Sequence, residues 1–483
     1  MTTRREALKA LGAAGASLAL APIGKALAAP GDSSGVASFS LPLRIPPVLA
    51  PTSATSTADY YDMQIRQTTV SILPGKSTTI LGYNGMTPGP TIRARVGRPT
   101  VVNFYNGLPA TTVAGTAGQC VTHLHGGHVP GSEDGFPTDY VAPGTNRTHT
   151  YPNNQLPTTL WYHDHCMDVT GPHVWYGLAG FYLLTDATED ALNLPSGAYE
   201  IPLVIQDRNF NAAGGLVYTK NMNGETGNAV LVNGVVQPYL NVASRKYRLR
   251  VLNGSNARAY RLALSNGAAF RVIGMEGGLL PAPVSVTALT LYPAERADLI
   301  VDFTGAAAGT NVTLLNTNVA STNTTYNVMR FRVTDTDDVD PSVVPATLRP
   351  LTRLSTAQAV TTRSFTLSGG MMGGAWTING AQFDENTAIA KPKVNTVEIW
   401  SFSNRSMLNH PIHVHQTQFQ ILDINGAAPP ATHAGWKDVV VVPAMGTARI
   451  IARFADYTGR FVMHCHILEH EDMAMMARYD VVA

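Results

Sequence analysis

Ten of the fourteen histidines of this chain lie in four short clusters, and these clusters show where chemistry can occur. The clusters are His123-Leu124-His125, His163-Asp164-His165, His410-Pro411-Ile412-His413-Val414-His415, and His464-Cys465-His466 followed by His470. No histidine lies between His173 and His410. Imidazole is a common ligand of copper, zinc, iron and nickel. The clusters therefore predict metal binding by the first and last thirds of the chain.

A His-x-His segment presents both imidazoles on one face when it is extended, because side chains at positions i and i+2 of a strand point the same way. In His464-Cys465-His466 the cysteine would then face the opposite side. It would join a second site there, for which His410, His470 and Met475 are the nearby candidates. Two histidines, one cysteine and a weakly bound methionine are the ligands of a blue-copper electron-transfer centre.

The other eight clustered histidines form an imidazole-only set. Its members are His123, His125, His163, His165, His413, His415, His464 and His466. Eight imidazoles exceed the needs of one metal ion and indicate a cluster of ions. The two predicted sites would be joined by a single tripeptide, because Cys465 lies between His464 and His466.

Strands must position these histidines, because the chain alternates apolar and polar residues at period two and has frequent turn residues. An alternating strand that ends in asparagine occurs three times, at Pro99–Asn106, Lys246–Asn253 and Thr396–Asn404. These strands are about 150 residues apart, the length of one domain. We therefore predict an all-β fold of three related β-sandwich domains over residues 59–190, 191–345 and 346–483.

Composition supports this fold class and excludes other functions. The 483 residues include 43 Gly and 31 Pro, and only 14% are charged. The formal net charge is +1 with no basic tract, which argues against nucleic-acid binding. No apolar run after the N-terminus is long enough to predict a membrane span. Met371, Met372, Met473 and Met476 are predicted packing residues.

The N-terminus resembles an export signal. Arg4 and Arg5 precede a weakly apolar Ala/Leu/Gly stretch, and residues 26–28 offer a small-residue cleavage site. We predict a twin-arginine signal over residues 1–28, recognised by the twin-arginine export machinery, and a Ser/Pro-rich leader over residues 29–58. The mature protein would then reside in the periplasm, the cell envelope or the extracellular space. Cys120 and Cys166 could form a disulfide or remain buried thiols.

At these motifs the chain resembles the multicopper oxidase family, and within it the bacterial spore-coat laccases and bilirubin oxidases. The matching segments are Thr122-His-Leu-His-Gly-Gly127, Trp161-Tyr-His-Asp-His165, His410-Pro-Ile-His-Val-His415, His464-Cys-His-Ile-Leu-Glu-His-Glu-Asp472, Pro293-Ala-Glu-Arg-Ala-Asp298 and Gly435-Trp-Lys-Asp438. The resemblance implies three cupredoxin-like domains and four coppers.

The resemblance also implies how the ligands divide among the coppers. His410, Cys465 and His470 would hold a type 1 copper, with Met475 in the axial place. His123 and His413 would hold a type 2 copper. The ligands of a type 3 pair would be His125, His163, His165, His415, His464 and His466. Asp134 and Glu471 match acidic residues that serve the cluster in this subgroup, and a nearby carboxylate can relay protons.

The implied function is that of a laccase-like oxidase. Cys465 would pass single electrons from a phenol, an aromatic amine or bilirubin towards dioxygen, which is reduced to water. One alternative is a metallo-oxidase acting on cuprous or manganous ions, and another is a non-catalytic copper-binding envelope protein. We expect a monomer.

Overall fold

The computed structural model describes residues 32–336, 339–370 and 374–483, and within these ranges most of the regular structure is β-strand. The predicted export signal lies outside the described residues, as do Met371 and Met372. No helix within the described ranges has the length and apolar character needed to cross a bilayer. The predicted all-β fold class is therefore confirmed.

The described strands fall into three groups along the chain, each with two main sheets. The N-terminal group contains β1 (Ser53–Ala54), β2 (Asp59–Val70), β3 (Thr78–Tyr83), β4 (Gly89–Arg95), β5 (Thr100–Gly107), β6 (Thr122–His125), β7 (Asn146–Tyr151), β8 (Thr158–Asp164) and β9 (Ala179–Thr185). The middle group contains β10 (Glu200–Phe210), β11 (Leu216–Val217), β12 (Ala229–Val232), β13 (Val235–Val236), β14 (Tyr239–Ala243), β15 (Lys246–Asn253), β16 (Tyr260–Leu264), β17 (Phe270–Met275), β18 (Gly278–Val286), β19 (Ala288–Leu291), β20 (Arg296–Asp302), β21 (Asn311–Asn316) and β22 (Asn327–Asp335). The C-terminal group contains β23 (Ala359–Ser368), β24 (Thr377–Ile378), β25 (Ala388–Ala390), β26 (Thr396–Asn404), β27 (His410–Val414), β28 (Phe419–Ile424), β29 (Val439–Val442), β30 (Thr447–Phe454), β31 (Gly459–Cys465) and β32 (Met476–Val481).

Helices are few and short among the described residues. They are α1 (Thr170–Tyr176), α2 (Ala187–Asp190) and α3 (Leu468–Asp472), with 3₁₀ turns at Gly197–Tyr199, Thr356–Gln358 and Ala431–His433. The Asp472 carboxylate at the end of α3 accepts hydrogen bonds from the backbone N–H groups of Thr170 and Gly171, at 2.8 Å each. These bonds tie α3, which carries His470, to the first turn of α1.

The alternation seen in the sequence becomes alternation of burial in the strands. In β2, Tyr61, Met63 and Ile65 are buried while the residues between them are exposed. Since successive side chains of a strand point to opposite faces, one face of β2 contacts the core and the other faces solvent. Large apolar clusters of this kind fill each of the three groups.

The three asparagine-terminated strands occupy equivalent places. Each of β5, β15 and β26 pairs parallel with the first long strand of its group (β2, β10, β23) and antiparallel with a later one (β7, β20, β30). Asn106, Asn253 and Asn404 also make equivalent bonds. Each side-chain oxygen accepts the backbone N–H two residues on, and each amide donates to carbonyls of nearby loops. The sequence repeat therefore corresponds to a repeated set of hydrogen bonds, in which the terminal asparagine of each strand fixes the turn that follows it. The domain boundaries at 190 and 345 stay predictions.

The predicted leader segment lies against the strand groups from residue 32 onward. Isolated bridges join Pro42 to Tyr239 and Val48 to Thr91, and the backbone oxygen of Phe39 accepts a hydrogen bond from Arg332. Cys120 and Cys166 are both buried free thiols.

Candidate metal centres

Two antiparallel strand pairs carry the His-x-His motifs. In the N-terminal group β6 pairs with β8, with His123 opposite His163. In the C-terminal group β27 pairs with β31, with His413 opposite His464 and Ile412 opposite Cys465. Both pairs place their histidines in the interior, where all eight members of the imidazole-only set are at most 1% exposed.

The eight histidines converge between the N-terminal and C-terminal groups. Three sets of three have potential ligand atoms within 4.8 Å of one another. These sets are His125, His163 and His466; His165, His415 and His464; and His123, His125 and His413. Each set contains histidines from both the N-terminal and the C-terminal strand group. The site therefore forms only when these two groups pack together.

Backbone carbonyls fix the proton on several of these rings. The Nδ1–H groups of His123, His163 and His413 lie 2.5, 2.8 and 2.8 Å from the backbone oxygens of Asp134, Asp164 and Asp438. Because a carbonyl only accepts hydrogen bonds, Nδ1 carries the proton and Nε2 keeps its lone pair. The Nε2 atoms of all three are buried and have no hydrogen-bond partner among the described residues.

Burial keeps the imidazoles neutral. Loss of hydration lowers the pKa of His123, His125, His413, His415 and His466 well below the ordinary range, and neighbouring imidazoles lower it further. Burial likewise lowers the pKa of His163 to about 3. A neutral ring with a free lone pair is the form that binds a metal ion. Orphaned acceptor nitrogens facing a common centre fit a cluster of coppers.

A second set lies on the other side of β31. His410 Nδ1 is 3.4 Å and His470 Nδ1 is 3.6 Å from Cys465 Sγ. All three side chains are fully buried, and the three form a potential metal-binding group. The Met475 side chain is buried in the same apolar cluster as Cys465, and the Met475 backbone oxygen accepts the Cys465 N–H at 3.0 Å.

Two further contacts hold the histidines of this second set. Ser406 Oγ lies 2.7 Å from His410 Nε2, and the Trp376 ring stacks on His470 with centroids 4.0 Å apart. The Nδ1 atoms of both rings face the Cys465 sulfur. A two-histidine, one-cysteine set is the donor set of a blue-copper site, so these residues fit copper as well.

The tripeptide His464-Cys465-His466 divides between the two groups of potential ligands. His464 and His466 each belong to an imidazole set, whereas Cys465 belongs to the set with His410 and His470. The period-two alternation of β31 produces this division. The two candidate sites are consequently joined by covalent bonds of the main chain.

Both predicted carboxylates lie against the imidazole sets. Asp134 Oδ2 is 2.8 Å from His415 Nδ1, and Asp134 is fully buried. Glu471 Oε2 is 3.0 Å from His464 Nδ1, and Glu471 Oε1 is 3.6 Å from His165 Nδ1. Burial raises the pKa of Asp134 well above its ordinary value. Burial also acts to raise the pKa of Glu471, but His464 and His165 outweigh it and lower the pKa to about 2.

The remaining four histidines lie outside these sets. His128 contacts Asp456, His149 contacts Glu133, His173 contacts Asp164, and His433 contacts Glu295. None of the four belongs to a metal-binding group in the described part of the chain. Of the predicted packing methionines, Met476 is buried and Met473 packs against the C-terminal core.

Sequence reasoning missed Arg296 and Asp438 as site residues. Both are fully buried, and Asp438 Oδ1 lies 3.2 Å from His125 Nε2. The only signal was that charged residues occur within the Pro293–Asp298 and Gly435–Asp438 segments, which carried the family resemblance but no predicted role.

An all-β fold in which a buried two-histidine, one-cysteine site is covalently joined to an eight-histidine site defines a copper redox protein. Comparison with known proteins gives the family. Three family models described as multicopper oxidase match residues 64–189, 181–333 and 356–483. The chain belongs to the multicopper oxidase family, and it is a copper-dependent oxidoreductase with dioxygen as acceptor.

Similar proteins cover nearly the whole chain. A laccase of Bacillus stratosphericus is 36% identical over 91% of this chain and 98% of its own length. A bilirubin oxidase of Albifimbria verrucaria is 36% identical over 92% of this chain and 81% of its own length. The crystal structure of a laccase from Pediococcus acidilactici has a TM-score of 0.84 at 33% identity, covering 92% of this chain and 94% of that chain. The predicted cupredoxin-like fold is thereby confirmed.

Proposed function

We propose that the chain is a laccase-like oxidase that takes single electrons from a small organic reductant near Cys465 and delivers them to dioxygen at the eight-histidine site. The observation that carries this proposal is the His464-Cys465-His466 tripeptide, whose members divide between the two sites. Relatives named laccase and bilirubin oxidase support phenols, aromatic amines and bilirubin as candidate substrates.

The copper ligands divide as follows in this proposal. His410, Cys465 and His470 would hold the type 1 copper, and Met475, which is buried in the same apolar cluster as Cys465, would add a weak thioether ligand. His123 and His413 bind the type 2 copper. The remaining six histidines bind the type 3 pair in two sets of three, namely His125, His163 and His466, and His165, His415 and His464. The grouping of nitrogen atoms in the structure supports this division.

Bound copper supplies one-electron redox chemistry, which converts four successive substrate oxidations into the reduction of one dioxygen to two waters. The chain supplies the path for the electrons and the enclosure around the oxygen-reducing centre. The main-chain bonds on either side of Cys465 connect the two ligand sets without a gap. The buried histidines hold the oxygen-reducing centre away from bulk solvent.

In this proposal Asp134 and Glu471 relay protons to the site where dioxygen is reduced. Each dioxygen reduced to water consumes four protons, which must reach a site enclosed by buried side chains. Asp134 Oδ1 is buried and has no hydrogen-bond partner among the described residues, and the Glu471 carboxylate is buried beside His464 and His165. Such oxygens can accept a bond from a water molecule and pass its proton inward.

A metallo-oxidase is the second candidate, and one observation favours it. Met407 and Met445 are 70% and 65% exposed, which is unusual for methionine. The Met445 N–H donates to the backbone oxygen of Ser406, whose hydroxyl contacts His410. Exposed thioethers at this position could hold a soft cuprous ion. A solved relative from Campylobacter jejuni, 25% identical, is described as a metallo-oxidase.

Oxygen uptake with a substrate panel tests the proposal. The panel should contain a phenol, an aromatic amine, bilirubin, cuprous ion and manganous ion. We expect the organic reductants to drive uptake faster than either metal ion. Faster uptake with cuprous or manganous ion would favour the metallo-oxidase. Copper binding without uptake on any reductant would leave only a non-catalytic copper-binding protein.

We also propose that the protein is exported through the twin-arginine machinery and acts as a monomer outside the cytoplasm. Arg4 and Arg5 before an Ala-rich stretch support the export route. Replacing both arginines with lysine should leave the protein in the cytoplasm, and normal export of that variant would contradict the route. Sedimentation should give the mass of one chain.

A further inference from the structure

We infer that Arg296 and Asp438 are positioning residues for the histidine cluster, so that the middle strand group controls assembly of a site to which it gives no ligand. This inference rests on the proposed role of the eight histidines as copper ligands. It assigns to Arg296 and Asp438 the orientation of His125 and His413.

All three nitrogen atoms of the Arg296 guanidinium group donate hydrogen bonds. Its Nη1 and Nη2 atoms donate to Asp438 Oδ1 and Oδ2 at 2.6 and 2.5 Å, which is a two-pronged ion pair. Nε donates to the backbone oxygen of Thr159 on β8 at 2.9 Å. Arg296 begins β20 in the middle group, so one guanidinium joins all three strand groups. A paired guanidinium of this kind fixes direction as well as charge.

Asp438 transmits that anchoring to two histidines. Its Oδ1 lies 3.2 Å from His125 Nε2, and its backbone oxygen accepts from His413 Nδ1–H at 2.8 Å. An ionised carboxylate only accepts hydrogen bonds, so His125 carries its proton on Nε2. His125 Nδ1 is then the free nitrogen, and it has no partner in the described residues. His125 thus presents the opposite nitrogen from His123 and His413.

The Arg296–Asp438 pair is closely packed against the backbone at Gly126. Gly126 follows His125 with φ of +81°. A Cβ at Gly126 would lie 2.5 Å from Asp438 Oδ2 and 2.7 Å from Arg296 Nη2. The ion pair therefore packs directly against the peptide that carries His125.

A second buried ion cluster, formed by Lys437, Glu276 and Glu295, lies beside the Arg296–Asp438 pair. Lys437 Nζ lies 2.7 Å from Glu276 Oε2 and 2.9 Å from Glu295 Oε1. Burial acts to lower the pKa of Lys437, but the two carboxylates outweigh it and raise the pKa. The Arg296 N–H donates to Glu276 Oε1. Residues 437 and 438 are thus both clamped to the middle group.

The test compares Arg296→Lys and Asp438→Asn with the control Arg250→Lys. Arg250 is a matched residue, because it is also buried and paired with carboxylates, and its Nη1 donates to Thr159 Oγ1. It contacts none of the clustered histidines in the described structure. Lysine keeps the charge at 296 but not the two-pronged geometry. Asparagine keeps the shape at 438 but removes the charge.

Three readouts are measured on copper-loaded and metal-free protein. They are copper affinity by competition with a chelator, the electron paramagnetic resonance spectrum of the non-blue copper, and the Tm of the metal-free chain. Outer residues that orient ligands typically change metal affinity by about 10- to 100-fold. We expect losses in that range, with an altered non-blue spectrum and retained blue colour, in Arg296→Lys and Asp438→Asn. Arg250→Lys should lower Tm alone.

Wild-type copper affinity and an unchanged spectrum in either folded variant would overturn the inference. Equal copper loss in Arg250→Lys would also overturn it, because the effect would then be one of stability. If the unaltered protein bound no copper beyond the Cys465 site, the proposed ligand roles themselves would fail, and this would be seen before any variant is made.

Discussion

His165 and His464 approach each other with their Nε2 atoms 3.2 Å apart, although they lie in different strand groups. His415 Nε2 is also 3.2 Å from His464 Nε2. His464 Nδ1 faces the backbone oxygen of Cys465, which places its proton there and leaves a lone pair on Nε2. Lone pairs aimed at one another repel unless a cation lies between them. Three ring nitrogens that meet in this way, drawn from both strand groups, fit a metal ion bound between them.

Replacing Cys465 with serine should abolish the blue absorption and substrate oxidation. Serine lacks the soft thiolate that a blue-copper site needs. The eight histidines remain, so the variant should still bind copper. Absorption spectra and copper analysis of the loaded protein check this. Cys166→Ser is the control, because Cys166 is a buried free thiol outside the metal-binding groups and its loss should leave the colour. Intense blue absorption in the Cys465 variant would rule out its assignment.

Replacing Met475 with leucine should keep the blue site and raise its reduction potential. The thioether donates electron density that favours the oxidised ion, and leucine cannot do so. We expect a rise on the order of 60 mV, a tenfold change for a one-electron couple. Redox titration measures it. Met476→Leu, the adjacent buried methionine, should leave the potential unchanged. An unchanged or lower potential in Met475→Leu would show that Met475 is not the axial ligand.

Glu471→Gln should slow reoxidation by dioxygen while colour and copper content persist. An amide of the same shape cannot exchange a proton, and general acid help is typically worth about 10²- to 10⁴-fold, so we expect reoxidation to slow by at least about tenfold. Stopped-flow absorption separates the two half-reactions: bleaching by substrate should stay fast, and the return of colour in air should slow. Glu469→Gln is the control, since Glu469 lies on the same helix but bonds to Tyr218 and Asn256. Fast reoxidation in Glu471→Gln would remove Glu471 from the mechanism.

Acid should remove the stabilising effect of Glu200. Burial acts to raise the pKa of Glu200, but Arg250, Arg248 and Arg93 outweigh it and lower the pKa from 4.5 to about 2. A lowered folded-state pKa gives stability that is present above the unfolded value and lost as pH falls through the folded one. The shift corresponds to roughly 3 kcal/mol.

The urea midpoint of metal-free Glu200→Gln checks this. It should lie below that of the unaltered chain at pH 7, and the gap should close between pH 5 and pH 2. The exposed Glu385→Gln serves as a control with little change at any pH. A gap independent of pH would mean that the ion pairs do not set the stability difference.

Local pattern was enough to predict the all-β fold, the repeated strand that ends in asparagine, and the opposite directions of Cys465 and its two neighbouring histidines. Period-two alternation places Cys465 opposite His464 and His466 wherever the strand lies in the fold. Asn106, Asn253 and Asn404 were recognisable because the side-chain oxygen of each accepts a hydrogen bond from only two residues further on, within a turn that starts at the asparagine itself.

Contacts between distant segments could not be predicted in this way. Arg296 and Asp438 are 142 positions apart, and Asp134 and His415 are 281 positions apart. Their contacts depend on how the strand groups pack, which no local periodicity encodes. The stacking of Trp376 on His470 and the choice of nitrogen at His125 depend on packing in the same way.

X-ray diffraction from copper-loaded crystals, recorded at the copper absorption edge, tests the central claim most directly. The account predicts one anomalous peak bounded by His410, Cys465 and His470, and three further peaks among the eight histidines on the other side of β31. A peak absent beside Cys465, or a single peak among the eight histidines, would contradict the account.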